Sequence, residues 1–293
     1  MIDLHMHSTV SDGTDNPAAL PDRVKEAGLR LFALTDHDAI KGCAALLPLL
    51  GEGGPAFLTG VEFGCKDDFG KYHILGYGYD PAAPSIREVV ALGHAYRMRK
   101  VHARLDFLRS EFGFIFPQAE LEALLALDNP GKPHIGNLMV KYGWAKTKEQ
   151  AIKEFIDKLR VSTEYVRPEQ AIAGILSAGG IPVLAHPCYG SGDQLILGDE
   201  MAERLERLMD FGLQGVEAFY SGFTPKLRAM MLRLAERYHL YVTAGSDYHG
   251  TNKLVELGDT GLDAAPEWPD GLKRFLRDVR PAHGDPAGLP EGR

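Results

Sequence analysis

At 293 residues the chain is long enough to bury one large core or two modest ones. Its 45% hydrophobic and 25% charged content is that of a soluble globular protein. A formal charge of −8 argues against a broad nucleic-acid-coating surface, so no stable nucleic-acid partner is expected, while divalent cations could still attract an anionic substrate locally.

The predicted elements begin with a strand near 2–7. A helix over 17–28 follows, opened by Asn16-Pro17, where proline suits the first helical turn because its missing N–H would be unpaired anyway. Leu31-Phe32-Ala33-Leu34 is a short buried run, followed by a helix over 39–49. Strands then run from Ala56 to Phe63 and over 71–78. From 84 to 166 the pattern is helical throughout, rich in Glu, Lys, Arg, Ala and Leu, and reads as an insertion. Alternation resumes with a helix over 168–178, stopped at Gly179-Gly180, and a strand Ile181 to Ala185. A helix over 199–211, a strand Val216 to Phe219, a helix over 225–238 and a strand Leu240 to Ala244 complete it. A Pro- and Gly-rich tail after 265 carries one helical stretch near 270–279. Strands alternating with helices predict an α/β fold, as a parallel sheet or a barrel.

Cys43, Cys65 and Cys188 are scattered, with no CxxC pair, which disfavours a zinc knuckle or a disulfide framework and fits a reducing compartment. The first residues lack the basic and long apolar regions of a signal peptide, and no apolar run approaches about 18 residues. A cytoplasmic protein with no membrane partner is the default expectation, and a monomer is allowed.

The chemistry lies at strand ends. Asp3, His5 and His7 alternate with Ile2, Leu4 and Met6, so one face of an extended run carries two imidazoles and a carboxylate. Asp12 follows in Ser11-Asp12-Gly13. The same layout recurs at Thr35-Asp36-His37-Asp38, Thr59-Gly60-Val61-Glu62, Ala185-His186-Pro187 and Gly245-Ser246-Asp247-Tyr248-His249, and less regularly at His73. Six of the eleven histidines fall in these segments. In parallel α/β folds the carboxyl ends of strands line one mouth, so these residues are expected to converge. Imidazole nitrogen with carboxylate oxygen suits Zn²⁺, Mn²⁺ or Fe²⁺. The set is too large for one ion and suits two or three, with Glu62 or Asp247 bridging a pair. Asp3, Asp36 and Asp38 are expected to orient the imidazoles. No Ser or Cys nucleophile with a paired base is evident, and Asp247 or His249 is expected to shuttle a proton.

At these residues the chain resembles the PHP (polymerase and histidinol phosphatase) family over 1–82 and 167–265. The resemblance implies a distorted (β/α)7 barrel of seven strand–helix units, formed by 1–83 with 167–265, an all-helical insertion domain at 84–166 and a tail at 266–293. It implies three metal positions: His5, His7, Glu62 and Asp247 at the first, Asp12, His37 and His249 at the second, and Glu62, His73 and His186 at the third. Asp12 stands where histidinol-phosphatase-type members often carry His, and looks more like the branch of nucleotide-directed phosphatases. Gly131-Lys132-Pro133-His134 is similar to a Gly-Arg-Pro-His segment of that branch, where the basic residue and His face the substrate phosphate; lysine attracts phosphate without forming arginine's bidentate fork. Arg160 and Arg167 partly match later basic positions, and Arg97, with Arg99, Lys100 and Arg104, adds positive charge.

The implied activity is metal-dependent hydrolysis of a small phosphate ester by a metal-bound hydroxide, first among them a nucleotide 3′,5′-bisphosphate giving the 5′-mononucleotide. A cyclic phosphodiesterase or an RNA 5′-end exonuclease is the alternative within enzymes. A non-catalytic metal-binding PHP module is the alternative outside them.

Overall fold

The computed structural model describes residues 1–159, 164–190, 194–286 and 289. Among them, seven strands form one sheet in chain order: β1 Ile2–Asp3, β2 Leu31–Leu34, β3 Ala56–Lys66, β4 Lys71–Tyr77, β5 Ile181–Leu184, β6 Gly215–Tyr220 and β7 Tyr241–Gly245. β1, β2 and β3 pair in parallel, as do β5, β6 and β7, while β4 is antiparallel to both neighbours. The implied distorted seven-stranded barrel is thus present, and the reversal of β4 is where it departs from a strand–helix repeat. Only residues 67–70 separate β3 from β4, and a parallel crossover needs a dozen residues or more. The reversal puts the beginning of β4, where His73 lies, at the same rim as the carboxyl ends of the others.

β7 returns to the first strand. Leu4 N–H donates to Ala244 O at 2.8 Å, Asp247 N–H to His5 O at 2.8 Å, and His7 N–H to Tyr248 O at 2.8 Å, so the barrel is nearly closed. The predicted strand over 2–7 is thus two ladder residues followed by an extended run that crosses to β7 through a single Met6–Tyr248 bridge. Gly245 permits this closure: a Cβ there would stand 2.3 Å from that of His5.

Helices α1 Leu20–Glu26, α2 Lys41–Leu46, α7 Pro168–Ser177, α8 Gly198–Asp210, α9 Pro225–Arg237 and α10 Asp270–Asp278 belong to the barrel layer, with 3-10 turns at Pro17–Ala19 and Leu47–Leu49 shortening two of the predicted helices. α10, in the stretch read as a tail, seats Leu272 and Phe275 in the main core, with the Phe275 ring 5.5 Å from that of Tyr77. The inserted stretch holds α3 Pro84–Phe112, α4 Gln118–Leu125, α5 Lys132–Lys141 and α6 Lys148–Glu154. Its apolar residues, Val101, Leu108, Ile135 and Met139 among them, pack in a cluster separate from the barrel core. Among the described residues no helix is long and apolar enough to cross a membrane.

Candidate metal centre

β3 alternates Val61 and Phe63 into the core with Glu62 towards the barrel mouth, where its carboxylate is fully buried. Five imidazoles surround it. Oε2 lies 3.0 Å from His37 Nδ1, 3.2 Å from His7 Nε2 and 3.3 Å from His5 Nε2; Oε1 lies 2.8 Å from His73 Nδ1 and 3.2 Å from His186 Nε2. Asp247, on the turn after β7, places Oδ1 at 3.3 Å from His7 Nε2, 3.5 Å from His5 Nε2 and 3.4 Å from His249 Nδ1. Asp12 Oδ1 is 3.2 Å from His249 Nε2 and 3.9 Å from both His7 Nδ1 and His37 Nε2. All nine residues read from strand ends therefore meet at one rim. Asp38, His186 and Asp247 hold positive φ, and such strain in non-glycine residues gathers where the surrounding structure enforces a working geometry.

The donor set fits divalent cations. Three groups bring their ligand atoms within 4.8 Å of one another: His7 with Asp12, His37 and His249; His5 with His7 and Asp247; and His37 with Glu62 and His73. They differ in membership from the implied sets, since His7 joins the second and His37 takes the place of His186 in the third. His5 Nε2, His7 Nε2, Asp12 Oδ1, His37 Nδ1 and Glu62 Oε2 are buried with no hydrogen-bond partner, a costly state for polar atoms unless an ion is to be held. His249 makes the same point. Its Nδ1–H can donate to its neighbour Asp247's backbone oxygen at 2.8 Å, which leaves the Nε2 lone pair facing Asp12 Oδ1 at 3.2 Å, two acceptors that a cation would reconcile.

Electrostatics follow from burial and crowding. Burial would depress His5, but Glu217, then Glu62 and Asp247, lift it well above the ordinary histidine range. His7, equally buried, is pushed up to about 9 by Asp247 and Glu62. Burial would raise Glu62, Asp12 and Asp247, but imidazole charge holds all three well below the usual carboxylate range. Burial, then the charge of His7, pushes His249 down to about 4.

A pH dependence results. In the ion-free protein the raised His7 contributes stability that is complete below its ordinary 6.5 and lost as pH rises through about 9, whereas the depressed carboxylates contribute stability lost only in acid. A cation must displace the proton on His7, so its binding should release protons and tighten between pH 6.5 and 9. Calorimetric Mn²⁺ titrations in buffers of different ionisation enthalpy check this; identical heats in all buffers would contradict it.

Of the three aspartates expected to orient imidazoles, Asp36 reaches a ring through Ser11, whose Oγ lies 3.3 Å from His7 Nδ1, while Asp3 and Asp38 do other work. Asp3 accepts from Ser246 N at 2.9 Å, Ser246 Oγ at 2.6 Å and Gly258 N at 2.8 Å, clamping β1 to the turn after β7. Asp36 accepts from Ser8 N and Oγ, both at 2.8 Å, and from Ser11 Oγ at 2.7 Å, bracing the loop that carries Asp12. Asp38 takes Arg97 Nη2 at 2.6 Å and so holds a guanidinium instead of a ring.

The imidazole is oriented by a residue that sequence reasoning missed. Glu217, fully buried on β6, places Oε1 at 2.9 Å from His5 Nδ1 and accepts from His186 N at 2.7 Å through Oε2. Its signal was an acid inside the apolar run Val216–Phe219. Tyr220, which donates to Asp247 Oδ2 at 3.1 Å, and Lys253, which pairs with the same oxygen, were also missed.

Of the expected phosphate contacts, Arg97 reaches Asp38 beside His37, and a Cβ on Gly131 would lie 3.5 Å from its Nη1. His134 accepts from Gly131 N at 3.1 Å, and burial, opposed by the field of Asp12, lowers its pKa, so the start of α5 stands over the centre. Lys132 is paired with Asp157 within the insertion. Arg160 lies outside the described residues.

Comparison with known proteins agrees with this geometry. A family profile described as PHP domain matches residues 3–166, more than half of the chain. A 3′,5′-nucleoside bisphosphate phosphatase of Chromobacterium violaceum is 31% identical over 292 residues, covering 94% of this chain and 98% of that protein. The 5′-3′ exoribonuclease Rnm of Salmonella typhimurium is 33% identical over 270 residues, covering 87% of each. A solved structure from Bifidobacterium adolescentis, described as a metal-dependent phosphoesterase, superposes with a TM-score of 0.80 at 28% identity, covering 94% of this chain and 96% of that one. The chain belongs to the PHP domain family of metal-dependent phosphoesterases.

Proposed function

We propose that the protein hydrolyses nucleoside 3′,5′-bisphosphates to 5′-mononucleotide and inorganic phosphate, using two or three divalent ions of Mn, Fe or Zn. The observation that carries this reading is Glu62, one buried carboxylate among five imidazoles, three of which turn an unpartnered nitrogen to it. When bound, the ions would lower the pKa of a water towards about 7 and offset phosphoryl charge.

His5, His7, Glu62 and Asp247 would hold one ion, Asp12, His37 and His249 a second, and Glu62, His73 and His186 a third. Tyr220 donates to Asp247 Oδ2 and Lys253 pairs with the same oxygen, which leaves Oδ1 for an ion. His249 stays neutral at physiological pH, and with Nδ1–H on a backbone oxygen it offers Nε2 to an ion. Arg97 and His134 orient the phosphate. The described residues of 84–166 act as a cover over the barrel formed by 1–83 and 167–265, and α10 of the stretch after 265 completes the barrel core. Three free, buried cysteines fit a cytoplasmic setting.

A second reading, release of nucleotides from 5′-phosphorylated RNA, is favoured by the 33% identity to the exoribonuclease. Protein stripped with chelator and reloaded with Mn²⁺ should release phosphate from adenosine 3′,5′-bisphosphate at least tenfold faster than it releases mononucleotides from a short 5′-phosphorylated RNA. Mononucleotide release from RNA with no phosphate from the bisphosphate would sink the first reading in favour of the second.

A further inference from the structure

A second basic group stands beyond the metal centre. β3 continues past Glu62 to Lys66, and β4 starts at Lys71, directly opposite it. Lys66 shares a face with Glu62, and Lys71 with His73, by the two-residue period of a strand. Two lysines facing each other across a hairpin repel, an arrangement that is unfavourable without a counterion. From the other side α3 contributes Lys100 and Arg104, at spacings that put them on the same helix face as Arg97. Lys100 Nζ sits 3.3 Å above the centre of the Tyr165 ring, and Lys71 Nζ lies 5.7 Å from the same centre. Two ammonium groups thus share one aromatic platform.

The carboxylates near them have other partners. Asp38 holds Arg97, Asp157 holds Lys132, Glu164 holds Arg99, and Asp67 turns to Tyr72 and Arg207. None of the ion pairs among the described residues involves Lys71, Lys100 or Arg104. The crowding is felt: burial, then Arg97, with Arg104 and Lys71, pushes Lys100 down to about 7, and burial and Arg97 lower Arg104. A cation concentration of this kind, in no ion pair among the described residues although Asp38 acts on Lys100 and Asp157 on Arg104 from a distance, and beside His73 on β4, matches an anion that arrives with the substrate.

We propose that Lys71, Lys100 and Arg104 form a second phosphate site, which grips the phosphate of the substrate that is not hydrolysed. The proposal rests on the bisphosphate reading above and adds what selects that substrate: a dianion held against the cationic platform while another phosphate on the same molecule reaches the metal centre. The 5′-phosphate of a nucleotide or the 5′ end of an RNA would present the same chemistry.

Two measurements test it. In steady-state kinetics of the Mn²⁺-loaded protein, Lys71→Gln and Lys100→Gln should each reduce about tenfold the ratio of kcat/KM for adenosine 3′,5′-bisphosphate to that for adenosine 3′-monophosphate. An unchanged ratio overturns the proposal. In calorimetry on chelator-treated protein, adenosine 5′-monophosphate should bind about tenfold more weakly to Lys71→Gln and Lys100→Gln than to the parent. Equal affinity, or no binding to the parent, overturns it as well. Lys71 is exposed on the hairpin, so its variant folds even where Lys100→Gln does not. If 5′-monophosphate binds through these lysines but the bisphosphate is not hydrolysed, the site stands and the substrate reading falls. If the bisphosphate is hydrolysed with an unchanged ratio, the reading stands and the site falls. RNA with and without a 5′-phosphate separates the two sources of the anion.

Discussion

Asp247→Asn is expected to lower kcat/KM for Mn²⁺-dependent phosphate release by about a thousandfold, the upper range for deleting one charged group at a reacting centre. The substitution preserves shape and removes charge. Three imidazole nitrogens stand 3.3–3.5 Å from Asp247 Oδ1, so the loss of one anion leaves them repelling one another and any cation they are to share. An amide nitrogen turned to Oδ2's place would meet Lys253, another donor. Metal content by elemental analysis should fall together with activity, while far-ultraviolet circular dichroism stays that of the parent. Activity within tenfold of the parent, at full metal content, would remove Asp247 from the proposed centre.

Glu217→Ala should affect stability and ion affinity together. Deleting the side chain leaves His5 Nδ1 and His186 N–H buried without their acceptor, at a cost of about 3 kcal/mol for unsatisfied groups next to charge. It also frees the His5 ring, and losing the carboxylate that orients a ligating histidine typically weakens metal binding about 10–100-fold. Glu217→Gln keeps an acceptor for one of the two N–H groups and should fall between alanine and the parent in both respects. Thermal melts with and without Mn²⁺, with Mn²⁺ titrations, separate the two effects. A variant that melts lower but binds Mn²⁺ with parental affinity would make Glu217 purely structural.

Much of this was legible in the chain because period and position are local properties. Apolar residues alternating with His5, His7 and Glu62 declare a strand with a polar face, and strand ends are where parallel folds gather their chemistry. What was not legible depended on tertiary direction. Nothing local to Lys71–Tyr77 says that the strand runs against its neighbours; the shortness of the preceding turn is the one clue. The roles of Asp3 and Asp38 went astray because proximity to a histidine in sequence does not give reach in space, and backbone N–H groups from segments distant in sequence hold these acids. Glu217 was passed over for the opposite reason: it lies 212 residues from the ring it steadies.

The closing seam of the barrel is its thinnest. Backbone hydrogen bonds at Leu4, His5 and His7, a single bridge and the fan of hydrogen bonds around Asp3 join the beginning of the chain to a segment some 240 residues later. Ordering a contact of that separation is entropically slow, so this joint should form late and open early. His5 and His7 lie on one side of it, Asp247 and His249 on the other. An ion gripped by both sides would act as a rivet, and losing it would let the barrel breathe along the line where its own backbone holds it least.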